Sequence, residues 1–244
     1  MRVFKIIAGL ALIMPALQAQ AADLQAILGV EQGEISGTVA SGGDPVDLRR
    51  DLGLDKSNPV VAGFKIGALG NTFAFRYIPY SFSGDGSVSQ NFSFRGLNFA
   101  VNDPVHSDVD IKEYAADYRF GFALPGLARV GVGAGVNVFD ANFAITRKIT
   151  GETTTKQITA PIPTLGVSAG LSLPLTGLKL DADVSGMGYS SNRYINADAN
   201  LSYSPLPLIG IKAGYRYRKL KLDIDDTQAD MEIKGPYAAV YAGF

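Results

Sequence analysis

Apolar and polar residues alternate with a period of two along almost the whole chain, and this pattern constrains the fold more than any other feature. In the segment 178–184, Leu, Ala and Val occupy one face while Lys179, Asp181 and Asp183 occupy the other. Successive side chains of a β-strand point to opposite faces, so the pattern predicts strands. Helical periodicity is nearly absent. We therefore predict an all-β fold.

Alternation does not by itself say which face lies inside. A soluble barrel or sandwich buries its apolar face, whereas a transmembrane barrel turns that face to lipid. The polar face here is rich in Gly and Ser and carries charges of both signs, which suits a crowded interior. Aromatic residues near strand ends form candidate girdles, among them Phe73, Phe122, Tyr114 and Tyr194. These features favour a transmembrane antiparallel up-and-down β-barrel.

The pattern predicts ten strands, with eight or twelve as alternatives. They lie near residues 27–40, 59–67, 71–83, 105–123, 129–147, 157–173, 177–190, 193–204, 208–224 and 231–244. An even number places both termini on the periplasmic side. The region 84–104 either extends a long third strand or adds a membrane strand and raises the count to twelve; misreading the first pair would lower it to eight. The apolar parity flips near Phe139 and Lys219, which indicates a bulge or the end of the lipid-facing band.

The first 21 residues have the pattern of a secretory signal peptide. Arg2 and Lys5 precede an apolar run over 6–17, and residues 19–21 (AQA) supply a small-x-small cleavage site. A bilayer-spanning helix takes about 20 residues, so the run is too short to remain as an anchor. We predict cleavage after Ala21, export from the cytoplasm and a mature barrel domain over residues 22–244.

Composition argues against several classes of function. The formal net charge of −1 gives no basic footprint for a nucleic acid. The chain has no Cys and one His, which rules out disulfides, thiolate metal sites and a multi-His centre within one chain. A Gly-rich phosphate loop and a nucleophile elbow are both missing from the sequence. We expect no cofactor, no metal site and no nucleic-acid partner.

Five segments resemble those of small outer-membrane β-barrels of Gram-negative bacteria. They are 46–54 (VDLRRDLGL), 71–77 (NTFAFRY), 94–99 (FRGLNF), 105–110 (VHSDVD) and 214–217 (GYRY). More narrowly, the chain resembles an uncharacterised family of outer-membrane barrel proteins of similar length. The last strand ends in Phe244, which is similar to the signal read by the barrel-assembly machinery.

The resemblance implies a place in the bacterial outer membrane. Its partners would be outer-membrane lipids and lipopolysaccharide and, during biogenesis, the assembly machinery. The family has no established activity, so the resemblance assigns no catalytic or binding residue to this chain.

Thirteen charged residues fall on the polar faces and are predicted to face the lumen. They are Lys65, Arg76, Glu113, Asp117, Arg119, Asp140, Lys179, Asp181, Asp183, Asp198, Lys212, Arg216 and Arg218. A barrel of about eight strands is filled by side chains and one of about sixteen leaves an aqueous channel. Ten strands lie near the filled end, so we expect a lumen largely plugged by charge pairs. A narrow or gated solute path is the alternative.

Two functional hypotheses follow. The preferred one is a non-enzymatic integral outer-membrane protein with a role in envelope structure or limited passage of small solutes. The alternative is a lipid-modifying hydrolase, of the lipid A deacylase or phospholipase type, that uses His106 and Ser107. Catalysis requires the Ser Oγ within hydrogen-bond reach of the imidazole, but neighbouring residues on a strand point to opposite faces.

Four basic residues lie close together in the strand that is predicted near 208–224. Arg216, Arg218, Lys219 and Lys221 crowd the outer end of one strand. Cationic side chains give charge-assisted contacts to phosphate, so the cluster is a candidate contact for lipopolysaccharide. The alternative is a solvated strand extension with no partner.

Overall fold

The computed structural model describes residues 23–41, 43–123, 128–206, 208–224 and 227–243. The predicted signal peptide over 1–21 and the predicted assembly signal Phe244 lie outside the described residues. The strands are β1 (Asp23–Glu31), β2 (Gly33–Ser41), β3 (Val46–Asp47), β4 (Lys56–Ser57), β5 (Val60–Ala68), β6 (Asn71–Ser87), β7 (Phe92–Phe94), β8 (Leu97–Phe99), β9 (Pro104–Ala123), β10 (Ala128–Arg147), β11 (Thr153–Leu173), β12 (Leu178–Tyr189), β13 (Asn192–Leu206), β14 (Ile209–Ile224) and β15 (Thr227–Gly243). A helix long and apolar enough to cross a bilayer is not found in the described part.

Ten of these strands close into an antiparallel ring, which confirms the predicted count. Their order is β1-β5-β6-β9-β10-β11-β12-β13-β14-β15, and β1 pairs with β15 to close it. Ring neighbours follow one another along the chain, so the topology is up-and-down. Beyond Gln32, β2 continues the line of β1 and pairs with the other half of β15.

The two ends of the barrel differ in their connections. The turns 69–70 and 174–177 lie at the same end as the first and last described residues, and we call this the turn end. The segments 43–59, 88–103 and 148–152 lie at the opposite end, which we call the loop end. Longer connections at one end and short turns at the other are typical of transmembrane β-barrels, although β12 and β13 are also joined at the loop end by only the two residues 190–191.

In the long strands β9 and β10, the apolar residues lie on the outward face near the turn end and on the inward face near the loop end. In β9 the odd-numbered residues point inward throughout. They are apolar from Val105 to Ile111, except for the buried Ser107, and include Glu113, Asp117 and Arg119 further on. β10 shows the same exchange at Phe139, and it keeps unbroken register with both neighbours there. The parity flip therefore marks the end of an apolar band and is not a bulge.

Near the turn end, the outward face is apolar all round the ring. Each ring strand exposes at least one large apolar side chain there: Leu28, Phe64, Phe73, Phe122, Val132, Val167, Leu180, Leu201, Ile211 and Val240. In β10 the band covers nine residues, from Val130 to Val138, close to the 9–11 that a tilted transmembrane strand requires. We call this part of the barrel the membrane zone, because exposed apolar surface of this extent requires lipid as its solvent.

Towards the loop end, the barrel has the opposite arrangement and we call this part the outer zone. Its interior is an apolar core, and its outward positions carry polar residues such as Asp108 and Asp110. The core side chains contributed by the ring include Ile78, Phe82, Val109, Ile111, Phe139, Phe143, Ile145, Ile162, Leu220, Met231 and Ile233. The outer zone is therefore built like a small water-soluble barrel that extends the transmembrane one.

Two excursions of the chain complete this core. The segment 46–57 pairs with β2 through β3 and β4 and buries Leu48, Leu52 and Leu54. The β7–β8 hairpin adds buried aromatic rings, with Phe92 and Phe99 stacked at 4.7 Å between centroids. The region 84–104 is thus the end of a long β6 followed by this hairpin, and it adds no strand to the ring.

The first excursion packs closely against β6. A Cβ at Gly84 or Gly86 would collide with the carbonyl oxygens of Gly53 and Asp51, so glycines are required at this contact. The Asp51 carboxylate accepts hydrogen bonds from the Asp47 N–H and from Arg50, each at 3.0 Å. Burial alone would raise the pKa of the Asp51 carboxyl, but these hydrogen bonds outweigh burial and hold the pKa below its ordinary value.

One of the predicted girdle residues lies elsewhere. Phe73, Phe122 and Tyr114 are exposed on the outward face of the membrane zone. Tyr194 is 1% exposed and packs inside the barrel, where its ring meets that of Phe139 edge to face at 5.5 Å. The prediction for Tyr194 is wrong because the residue occupies the inward phase of β13, beside the outer-zone core.

A charged residue introduced on the outward face of each zone tests the boundary between the membrane zone and the outer zone. Val167 points outward in the membrane zone, and we expect Val167→Arg to lower the free energy of unfolding in lipid vesicles by about 2–4 kcal/mol. Thr159 is exposed on the outward face of the outer zone of the same strand, so Thr159→Arg should change it by about 0.5 kcal/mol or less. Equal effects of the two substitutions in urea titrations would contradict the zone boundary.

Candidate functional site

The centre of the barrel, where the two zones meet, holds a buried carboxylate between two arginines. Glu31 is 1% exposed. It accepts hydrogen bonds from Tyr80 Oη at 2.5 Å and from Arg218 Nη1 at 3.1 Å, and it also forms an ion pair with Arg216. The Arg218 guanidinium lies over the Tyr80 ring, 5.6 Å from its centroid. Four side chains from β1, β6 and β14 thus meet at one point inside the ring.

The two arginines extend this contact across the lumen. Arg218 Nε lies 2.8 Å from a Glu113 oxygen, and the other Glu113 oxygen lies 3.3 Å from Arg76. Arg216 Nε donates to Asp198 at 2.9 Å. We call Glu31, Arg76, Glu113, Asp198, Arg216 and Arg218 the ionic layer. Its three carboxylates and three guanidinium groups leave no net formal charge.

An aromatic residue supports one side of the ionic layer. The Tyr237 ring lies 4.4 Å from the Arg216 guanidinium, and its hydroxyl donates to Asp198 at 2.9 Å. A Cβ at Gly214 would lie 2.8 Å from the same ring, so the glycine leaves the space that Tyr237 fills. The orientation of Arg216 is thus set from three sides, by two carboxylates and one ring.

Two further ion-pair groups lie nearer the turn end. Arg119 makes a two-pronged contact with Asp183, at 2.9 and 3.0 Å, and lies 3.4 Å from Asp117. Arg129 pairs with Asp181 at 2.5 Å. We call these five residues the lower ion pairs. Inward glycines leave room for them, because a Cβ at position 166 would collide with Arg119 and one at position 170 would lie 2.6 Å from Arg129.

A cavity of about 550 Å³ occupies the lumen between the ionic layer and the turn end. It reaches Leu69 and Gly70 at that end, and Lys65 and Lys212 line it together with the lower ion pairs. The Lys212 ammonium lies 5.5 Å from the centroid of the Tyr241 ring. Within the described part of the chain, no group of three His, Cys, Asp or Glu is arranged to hold a metal ion.

Comparisons with known proteins give structural matches only. No family model and no curated protein matches the chain. The chain is similar to the outer membrane protease OmpT from Escherichia coli, with a TM-score of 0.54, 11% identity and coverage of 93% of this chain and 99% of OmpT. Also similar are the translocator domain of autotransporter NalP from Neisseria meningitidis (TM-score 0.48, 12% identity, coverage 93% and 91%) and Neisserial surface protein A (0.40, 13%, 92% and 100%).

The fold is that of an outer-membrane β-barrel. The closed ten-strand ring, the exposed apolar band and the likeness to OmpT agree on this, and they confirm the resemblance to small outer-membrane β-barrels. At 11% identity the likeness to OmpT establishes the fold and carries no information about activity.

The barrel contains most of the charged residues that were predicted to face its lumen. Those inside are Lys65, Arg76, Glu113, Asp117, Arg119, Asp181, Asp183, Asp198, Lys212, Arg216 and Arg218. Lys179 is exposed at the turn end of β12, opposite Ser202 of β13.

Asp140 requires a correction, because it lies on the outside of the barrel. It follows Phe139, whose ring is in the outer-zone core, and its carboxylate accepts hydrogen bonds from Gln157 at 3.1 Å and Thr159 at 3.4 Å on β11. The prediction assumed that polar residues face inward along the whole of β10. In the outer zone the polar residues face outward.

Sequence reasoning missed four residues of the site: Glu31, Tyr80, Arg129 and Tyr237. Glu31 ends β1 after the apolar run 26–30, and it falls in the inward phase of the strand. Arg129 precedes a run of inward glycines and shares their phase, so extending the alternation by one step would have found it. Tyr80 gave no signal, because it lies where the inward face of β6 becomes apolar.

The barrel does not assemble His106 and Ser107 into a catalytic pair. The imidazole lies on the outward face, with Nδ1 2.8 Å from Asp85 Oδ1, whereas Ser107 points inward and is fully buried. Hydrogen bonds from His106 and Lys148 hold the pKa of the Asp85 carboxyl below its ordinary value. The geometry gives no support to the hydrolase hypothesis, because strand alternation separates base and nucleophile.

The predicted basic cluster divides between the two faces of β14. Arg216 and Arg218 are buried in the ionic layer and cannot contact lipopolysaccharide. Lys219 and Lys221 are exposed, Lys219 on the outward face at 3.8 Å from Asp230. Only the two lysines keep the expected outer position.

Removing the central carboxylate tests the ionic layer. We expect Glu31→Gln to lower the free energy of unfolding in urea by about 3–5 kcal/mol, because it leaves two buried guanidinium groups without their shared partner. Glu152 pairs with Arg147 at 2.8 Å but its side chain is 54% exposed, so Glu152→Gln should cost about 1 kcal/mol or less. A loss for Glu31→Gln as small as that of the control would show that the layer adds little to stability.

Proposed function

We propose that this protein is an integral outer-membrane protein whose lumen is closed towards the cell exterior, and that its role is in envelope structure and not in open solute conduction. The observation that carries the proposal is the apolar core of the outer zone. A solute entering the cavity from the turn end meets first the ionic layer and then this core. Closure thus combines charge pairs with an apolar seal.

The packing of the outer zone supports closure. A residual cavity of about 30 Å³ lies between residues such as Phe139, Leu220 and Ile233. Because a cavity needs about 10–15 Å³ to hold one water molecule, this space has room for no more than a few. The surrounding side chains offer almost no polar atoms to an ion, so passage of a hydrated ion would require this part of the barrel to open.

The orientation follows from the two ends. Short turns and both chain termini face the periplasm in barrels of this class, whereas longer loops face outward. The turn end would then open the 550 Å³ cavity to the periplasm, and the loop end would present the outer zone to the exterior. Export by a cleaved signal peptide over 1–21, and assembly through the terminal Phe244, belong to the same proposal.

Lipid partners follow from the outward surface. The apolar band would contact the acyl chains of the outer membrane. Arg193 on β13 and Lys221 on β14 are opposite each other. Lys219 lies two residues before Lys221 on the same face of β14, next to Tyr217 at the limit of the apolar band that is nearer the loop end. We assign these three cations to contacts with lipopolysaccharide phosphates, for which charge-assisted hydrogen bonds are suited.

Planar-bilayer recording tests closure directly. We expect the purified, folded protein to give no steady current, whereas a porin of about sixteen strands in the same membrane conducts through its aqueous channel. A large, steady conductance from the wild-type protein would overturn the proposal and restore the alternative of a solute path.

Labelling of single cysteines tests location and orientation, and the chain has no native Cys to interfere. Thr150 lies at the loop end and Thr176 in a short turn at the turn end, both exposed. A bulky polyethylene glycol maleimide should label Thr150→Cys on intact cells, and Thr176→Cys only after the outer membrane is permeabilised. The reverse pattern would invert the orientation, and labelling of neither variant on intact or permeabilised cells would contradict outer-membrane insertion.

A further inference from the structure

Two turns at the turn end carry a leucine in the left-handed region of backbone space. Leu69 has a φ of +54° and Leu175 a φ of +65°. This conformation is an outlier for a bulky side chain, because its Cβ then crowds a neighbouring carbonyl oxygen. Leu69 and Gly70 form a two-residue hairpin turn with positive φ at both positions, a turn that favours Asn-Gly. Leucine at these positions costs local stability, so another interaction has to favour it.

The other left-handed residues show what such positions carry in water. In the described part of the chain, the remaining non-glycine residues with left-handed φ are Arg95, Asn102 and Ser190. All three are polar and lie at the loop end. The same backbone conformation thus carries polar residues at one end of the barrel and leucine at the other. The protein does not bury the leucines itself, since Leu175 is fully exposed and Leu69 is 65% exposed.

Apolar residues also occupy the other connections at this end. The sequences of the connections 69–70, 124–127, 174–177 and 207–208 contain no charged residue. Leu206 and Leu208 are both more than half exposed. We call Leu69, Leu175, Leu206 and Leu208 the leucine collar. It brings exposed apolar side chains from three separate turns to one end of the barrel.

The leucine collar continues the apolar band of the membrane zone. On β11 the outward residues from Leu165 to Leu173 are all apolar, and Leu175 follows two residues later. A tilted transmembrane strand needs about 9–11 residues to cross the hydrocarbon, so a stretch of this length ends close to its edge. The turn that follows therefore lies where acyl chains meet lipid headgroups.

We propose that the leucine collar is a lipid-binding surface, and that its partner is the boundary between headgroups and acyl chains of the inner-leaflet phospholipids. Lipid takes the leucine side chains out of water, which offsets the cost of the left-handed backbone. The collar also fixes the depth of the barrel, because a shift towards the periplasm would move these side chains into water. Contact with a bilayer edge rests on the fold, whereas the choice of the inner leaflet rests on the proposed function.

The sign of a stability change distinguishes lipid from water around the collar. Asn tolerates a left-handed backbone better than Leu, so Leu175→Asn would strengthen folding if the turn lay in water. We expect the opposite in vesicles of dilauroyl phosphatidylcholine, with the folding equilibrium constant lowered about fivefold in urea titrations because lipid contact is lost. A gain in stability for Leu175→Asn, or no change, overturns the proposal.

Ser190→Asn is the matched control at the loop end. Ser190 is exposed and has a φ of +54°, so its backbone conformation is similar to that of Leu175. We expect this substitution to leave the folding equilibrium constant unchanged or to raise it, because water surrounds both the old and the new side chain. A loss as large as that of Leu175→Asn would show that the effect does not come from lipid contact.

Fluorescence quenching locates the collar even where Leu175→Asn does not fold. A nitrobenzoxadiazole dye is attached to Leu175→Cys, or to Thr150→Cys at the loop end, in phosphatidylcholine nanodiscs that leave both ends of the barrel open to solvent. We expect the dye at position 175 to be quenched by lipids with a nitroxide near the headgroup and weakly by iodide. The dye at position 150 should show the reverse. Efficient quenching by iodide at both positions overturns the proposal.

This proposal and the proposed function fail in different ways. Quenching in nanodiscs does not depend on orientation, so labelling of Thr176→Cys on intact cells would move the collar to the outer leaflet and keep its lipid contact. A protein that is closed in planar bilayers but exposes position 175 to iodide would keep the closed lumen and lose the collar. Steady conductance together with nitroxide quenching at position 175 would have the opposite meaning.

Discussion

The change of solvent along each strand is the constraint on which the rest of this structure depends. Lipid surrounds the ring near the turn end, so the outward residues there are apolar and the charged residues turn to the lumen. Water surrounds the same strands near the loop end, so the apolar residues turn inward. β9 and β10 pass this boundary without losing register, because only the identity of the side chains changes and not the hydrogen-bonded ladder.

The ionic layer lies where these two interiors meet, and its position has a physical reason. If the apolar core of the outer zone bordered the charged cavity directly, the charges at the border would face apolar side chains that cannot solvate them. In the layer, each guanidinium faces at least one carboxylate, and Tyr80 and Tyr237 present a hydroxyl to the acids and a ring to the arginines. These aromatic residues join the polar and apolar interiors.

Alternation predicted the strands of the ring, because a period of two directly reports the two faces of a strand. Most inward charges followed only after the Gly-rich polar face, with charges of both signs, had been assigned to the interior. This assignment failed where the solvent changes. Asp140 was placed inside because one rule was applied to the whole of β10, although the flip at Phe139 was visible in the sequence. The segment 46–57 was beyond prediction, because its burial depends on packing against Gly84 and Gly86, which are distant in sequence.

The distribution of glycines explains why a cavity persists in a barrel this narrow. Inward glycines at 166, 170 and 214 lie beside Arg119, Arg129 and Tyr237, so small and large residues alternate across neighbouring strands and each long side chain has a place to lie against the wall. Side chains held against the wall leave the axis open. The lumen would be filled if these arginines and the tyrosine extended to its centre. Because they do not, the apolar core of the outer zone is what closes the barrel.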